Sequence, residues 1–183
     1  MNDSTFDEKA MVSQLSDPTR QRQAFGTLVK QLTPHIYWQI RRLVFSHDDA
    51  NDVMQNTFLK AWTNLNAFRG DSKISTWVFR IAINEALNFL QRKRDTIPLD
   101  APEAASISQI AADEYFDGDE AQARFQQAIA TLPDKQRLVF NLKYFDNMKY
   151  EDMSQLLGTS VGALKASYHL AVEKLTKKLN QTE

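Results

Sequence analysis

The stretch YEDMSQLLGTSVGALKASYH, Tyr150–His169, decides the fold. A short helical segment stops at Gly158, which takes a positive φ without a Cβ penalty, and Ser160 then caps a second helix. Met153, Leu156, Leu157, Val161, Leu164 and Leu175 share a packing side at three- and four-residue spacing. Ser154, a small residue, sits where the two helices cross. Gly162, Lys165, Ala166, Ser167, His169 and Lys174 are left toward solvent, with Tyr168 at the boundary. This is helix-turn-helix spacing, in which the second helix presents its N-terminal half to base edges in the major groove. Two readings stay open at this level. An amphipathic helix pair on a glycine turn is often plain packing, and one lysine and one histidine over three turns give this helix little charge for DNA.

Working outward, the surrounding pattern is helical almost throughout. After the motif, the same helix continues to Lys177 and Lys178. Before it, one helix is expected over about Ala121–Thr131, stopping at Leu132-Pro133, and another over DKQRLVFNLKYF with Pro133 at its first turn. In the first half of the chain, a helix follows Asp17-Pro18 to about Leu32, and Pro34 opens the next, with Ile36, Ile40, Leu43 and Val44 on one face. SHDDANDVMQNTFLKAWTNL is a third, capped by Ser46 or Asp48, with Val53, Phe58, Leu59 and Trp62 as its expected core side. FRGDSK, Phe68–Lys73, has turn chemistry, and Ser72 or Ser75 then caps a long helix from about Thr76 to Arg94. The expectation is an all-α protein of two small helical domains, residues 20–95 and 124–178, joined by a flexible acidic linker over 96–123.

That linker explains the charge. The formal net charge is −1, but residues 1–95 carry 13 basic against 10 acidic side chains, 124–183 carry nine against six, and 96–123 carry seven acids and no base. Two mildly basic blocks flank an acidic segment, so the whole-chain balance does not argue against nucleic acid. The chain has no cysteine, which excludes disulfides, thiol catalysis and thiolate metal sites. Its five glycines form no phosphate-cradling loop. His35, His47 and His169 are scattered, and Asp48, Asp49 and Asp52 read as helix-start acids, so neither an enzyme, a metal site nor any cofactor is expected. No apolar run of about 18 residues is present, and no export signal is visible at the N-terminus. A cytoplasmic protein is the expectation.

The helix STWVFRIAINEALNFLQRKR carries two faces. Ile74, Val78, Ile81, Ala82 and Leu87 suit burial, while Trp77, Arg80, Asn84, Asn88 and Gln91 form a second stripe closed by Arg92-Lys93-Arg94. Asparagine pairs with base edges, indole stacks on bases and basic side chains meet phosphates. Solvated amides and helix-end cations matched to the dipole explain the same residues without DNA.

Together, DDANDVMQNTFLKAW, FRGDSKISTWVFRIAINEALNFLQRKR and LPDKQRLVFNLKYFDNMKYEDMSQLLGTSVGALKASYHLAVEKL, in this order across an acidic linker, resemble a bacterial RNA polymerase sigma factor of the extracytoplasmic-function type, group IV of the sigma-70 family. The resemblance covers roughly residues 20–178. It implies a non-catalytic promoter-recognition subunit, monomeric when free, that binds core RNA polymerase and promoter DNA, assists melting and is held in check by an anti-sigma protein. By resemblance, Asp49, Asp52, Gln55, Asn56 and Phe58 dock on the clamp of the largest polymerase subunit. Phe68, Lys73, Trp77, Arg80, Asn84 and Asn88 address the −10 element, with the Phe68–Lys73 loop holding a flipped base. Ser160, Lys165, Ser167, Tyr168, His169 and Lys174 address the −35 element, and the rest of that domain meets the flap of the second-largest subunit. Relatives usually carry arginine at the positions of Ser167, Leu170 and Val172, and this chain does not.

Overall fold

Asp7 starts the first helix of the computed structural model, which describes residues 7–96 and 120–181. Its carboxylate accepts from the backbone N–H groups of Lys9 (3.1 Å) and Ala10 (3.0 Å) and caps α1, Glu8–Leu15. Met11 and Leu15 anchor α1 in the core. The sequence reading, which begins at Asp17-Pro18, does not include this helix.

The next element corrects a second expectation. Pro34 does not open a new helix; it lies inside one continuous α2, Gln21–Val44. The proline forfeits the bond its N–H would have made to the preceding turn. An unbroken buried stripe of Leu28, Leu32, Ile36, Ile40 and Leu43 outweighs that loss, and Thr33 Oγ1 donates to the Val29 carbonyl at 2.7 Å across the same turn. Phe45 ends α2 in the left-handed region at φ 64°.

Ser46 caps α3, His47–Thr63, accepting from Asp49 N–H at 3.3 Å. Its core face is Ala50, Val53, Thr57 and Ala61. Of the expected core side only Val53 is fully buried; Phe58 is half-buried, while Leu59 and Trp62 are 64% and 39% exposed. Small residues let α3 approach α2 and α4 closely, so the bulky side chains turn outward. A short 3-10 turn, Leu65–Ala67, and the Phe68–Lys73 loop follow, with Gly70 at φ 77°.

α4 spans Ile74–Thr96, two residues earlier than expected. Neither Ser72 nor Ser75 provides its cap. Glu8 of α1 reaches across the fold, accepting from Ile74 N–H at 2.9 Å and from the Ser75 hydroxyl. Ile74, Val78 and Ala82 are buried as expected, joined by Phe79, Ile83 and Ala86, whereas Ile81 and Leu87 are half-buried.

The second block holds α5 (Glu120–Ala130), α6 (Asp134–Tyr144), α7 (Tyr150–Leu157) and α8 (Val161–Asn180). The expected linker at 96–123 falls almost wholly outside the described residues. The helix-turn-helix forms as read: Gly158 ends α7 at φ 64°, and Ser160 caps α8 by accepting from Ala163 N–H at 3.3 Å. Met153, Leu156, Leu164 and Leu175 are buried, with Leu157 and Val161 half-buried.

The two blocks pack directly on each other. The core built by α1–α4 continues into Leu138, Val139, Leu142, Met153, Leu156 and Leu164. Phe45, from the end of α2, is only 8% exposed and belongs to the second block's own core, with Ala128, Ile129, Leu132, Phe140, Ala171 and Leu175.

Candidate nucleic-acid interfaces

The outer stripe of α4 exists. Arg80, Asn84 and Asn88 are exposed on successive turns, and Gln91 follows them. At its start the half-buried Trp77 ring lies 5.5 Å from that of Phe68, tying the Phe68–Lys73 loop to the stripe. Lys73 is exposed at the loop's end. The six residues assigned to a −10 surface thus follow one another along a path from loop to helix. Arg80 departs from the picture of a solvated reader. Its Nε donates to the Leu156 carbonyl at 3.2 Å and its Nη2 to the Gln155 carbonyl at 2.9 Å. These carbonyls end α7, the negative pole of that helix, so the cation is well matched there.

On α8, Ser160, Lys165, His169 and Lys174 are exposed. The Lys165 ammonium lies 5.7 Å from the centre of the Tyr150 ring, and Lys174 donates to Gln136 Oε1 at 2.9 Å. Tyr168 packs inward: its ring stacks on Phe140 at 5.8 Å and an interplanar angle of 13°. Burial raises the hydroxyl pKa of neighbouring Tyr150. Leu170 and Val172, where relatives carry arginine, are 45% and 37% exposed, so the outer face of α8 is apolar where charge was expected.

A third surface lies between α3 and α4. Asp52, Gln55 and Asn56 line a shallow groove of about 500 Å³ whose other wall is Phe89, Arg92 and Lys93. Lys93 Nζ meets Asp49 Oδ2 at 2.7 Å. Phe58 is not part of this groove; it packs on the first block's core. At the basic end of α4, two of the three cations are paired within the chain: Lys93 with Asp49, and Arg94 with Asp134 of α6 at 2.8 Å.

The seam between the blocks was missed in the sequence. Asp146, in the loop after α6, pairs with Arg42 of α2 at 3.1 Å and accepts from the Gln39 side chain. Burial pushes the Asp146 carboxyl above its ordinary range, with Arg42 and His35 opposing. Asn141 Nδ2 donates to the Arg42 carbonyl at 3.1 Å. The Arg137 guanidinium sits 4.9 Å over the Phe45 ring and pairs with Asp134 at 2.7 Å; burial lowers its pKa. Beside the seam runs a cleft of about 640 Å³ lined by Arg80, Asn84, Leu87, Gly158, Thr159 and Ser167 among others. It brings Arg80 and Asn84, two of the residues assigned to −10 DNA, into one cleft with Ser167, one of those assigned to −35 DNA.

Among the described residues, no cluster of histidine, aspartate and glutamate is arranged to hold a metal ion, and no helix is long and apolar enough to cross a membrane. The sequence model of Sigma-70 region 2 matches residues 28–96, and that of Sigma-70, region 4 matches residues 122–175. The chain is 33% identical over 166 residues to the ECF RNA polymerase sigma factor SigW of Bacillus subtilis (strain 168), covering 85% of this chain and 89% of that protein. Among solved structures it is similar to CnrH in complex with the cytosolic domain of CnrY, with a TM-score of 0.69, 23% identity and coverage of 96% and 99% of the two chains. It is also similar to the sigma factor RpoE in complex with the anti-sigma factor NepR from Bartonella quintana, with a TM-score of 0.62, 23% identity and coverage of 85% and 96%.

Proposed function

The chain belongs to the extracytoplasmic-function sigma factors of the sigma-70 family, promoter-directing subunits without catalysis of their own, and we propose how its surfaces divide that work. Residues 20–95 dock on core polymerase and open the −10 element; residues 124–178 read the −35 element; the acidic segment 96–123 joins them. Asp49, Asp52, Gln55 and Asn56 face the clamp of the largest subunit, with Phe58 supporting α3 from within. Phe68, Lys73, Trp77, Arg80, Asn84 and Asn88 take the −10 strand. Extruding a base costs a few kcal/mol, and an aromatic pair beside two amides supplies stacking and hydrogen bonds to offset it.

On α8, Ser160, Lys165, Ser167, His169 and Lys174 approach the −35 major groove, and Tyr168 holds the helix on its core. The flap of the second-largest subunit meets the remainder of this block. An anti-sigma protein as partner is supported by the company that similar folds keep in their solved complexes, and work beside the polymerase implies the cytoplasm.

The observation that carries the reading is the continuous path from the Phe68–Lys73 loop through Trp77 to Arg80, Asn84 and Asn88, half-buried at the two aromatic rings and exposed beyond them. Purified chain added to core polymerase should start transcription at discrete sites in a genomic run-off screen. Those starts should share two upstream motifs. Absence of any chain-dependent start would overturn the proposal.

A further inference from the structure

Leu170 stands 45% exposed in the third turn of α8. An exposed leucine on an ordinary surface needs no explanation. On the reading helix of a helix-turn-helix it decides chemistry, because whatever stands forward there meets base edges.

The placement of Leu170 follows from the helical period. Leu164, Ala171 and Leu175 are the buried residues of α8, and Tyr168 stacks on Phe140 beside them. These positions recur at spacings of three and four and share one side of the helix. Leu170 falls off that side, together with Ala166 one turn before it, which is also exposed. The cations nearby are drawn back onto the protein. Lys165 lies 5.7 Å from the centre of the Tyr150 ring, and Lys174 donates to Gln136 Oε1 at 2.9 Å. Glu173, exposed just beyond Leu170, repels phosphate and confines close approach to the turns before it.

A leucine has no hydrogen bond to offer a base. In the major groove, guanine and adenine present acceptors and donors, cytosine a donor, and thymine alone adds an apolar group, its C5-methyl. Leu170 pressed on a purine edge would cover polar atoms without pairing them, which costs free energy. Pressed on a thymine methyl, both surfaces leave water together.

We propose that Leu170 makes the −35 contact selective for thymine by packing on its methyl group in the major groove. The inference rests on the reading that α8 enters that groove at the −35 element. Ala166 lies about 6 Å nearer the start of the helix, close to two base steps of 3.4 Å each, and leaves room for the leucine to reach the base. His169, exposed beside Leu170, supplies a polar contact on its flank.

Uracil is the direct probe, since it pairs as thymine does and differs by that methyl alone. Holoenzyme assembled from the full chain and core polymerase is given a promoter found in the run-off screen. Each −35 thymine, on either strand, is replaced in turn by deoxyuridine. At one or two positions uracil should lower promoter affinity about three- to fivefold, as for one buried carbon. Holoenzyme carrying Leu170→Ala should bind the thymine and uracil forms equally at those positions. Its thermal unfolding should match the parent's, because the side chain is exposed. A −35 motif without thymine, no uracil-sensitive position in it, or a sensitivity that Leu170→Ala leaves intact would each overturn the proposal. Promoter-specific starts with a uracil-blind −35 element would remove the thymine contact and leave the sigma-factor reading standing. No chain-dependent start at any promoter would remove both.

Discussion

At the scale of single residues, Asp146 links seam and pH. Burial is the largest influence on it and raises its carboxyl pKa from the ordinary 3.8, despite Arg42 and His35. The native chain therefore keeps the proton to higher pH than the unfolded chain does. Below the ordinary value both states are protonated and nothing is lost; as pH climbs through the raised native value, the unfolded state has already released its proton, and stability falls. Asp146→Asn does not ionise and keeps one acceptor oxygen of the two that Arg42 and Gln39 use. Urea unfolding of both proteins from about pH 4 upward should show the parent losing stability relative to Asp146→Asn, then a constant difference. A difference that does not vary with pH would contradict the raised value. Asn84 and Asn88 make a second residue-scale case. Each is an ordinary solvated amide alone, and only the path from Phe68 gives them a direction. Replacing both by alanine should slow open-complex formation, read by permanganate reactivity of unpaired thymines, while affinity for core stays within about twofold, as for surface changes away from an interface. Equal loss in both assays would remove them from the −10 surface.

At the scale of elements, the helix-turn-helix was legible because every signal in it is local: a glycine stop, a serine cap and a period of 3.6. The same local logic misplaced other elements wherever a distant residue decides. Pro34 reads as a helix start by itself, yet the buried stripe from Leu28 to Leu43 carries α2 through it. Bulky side chains in TFLKAW read as core, yet alanines and a threonine take that face because α3 lies close to its neighbours. The start of α4 has two serines beside it, and the cap comes from Glu8, 66 residues away. That cap ties α1 to the proposed −10 surface, since α4 presents Trp77 within its first turn. Glu8→Ala should cost about 1–2 kcal/mol of stability, measured by urea unfolding. Deleting α1 should cost more, because it removes Met11 and Leu15 from the core together with the cap. A loss below about 0.5 kcal/mol in Glu8→Ala would show that α4 needs no cap from outside itself.

At the scale of the whole molecule, the two helical blocks and their order could be read from composition and period, but their docking could not. Phe45 reads as an apolar residue before a cap, and Asp146 as a loop acid. Their partners lie about a hundred residues away, beyond any local pattern. The docking also gives Phe45 a weight its position in the sequence hides: it ends α2, yet its ring belongs to the second block's core. Phe45→Ala should therefore weaken the second block although the residue lies in the first, by about 3–5 kcal/mol as for other buried aromatic truncations, measured by urea unfolding. A loss below about 1 kcal/mol would show that the ring adds little to that core, and that the two blocks are held by α2–α6 contacts elsewhere.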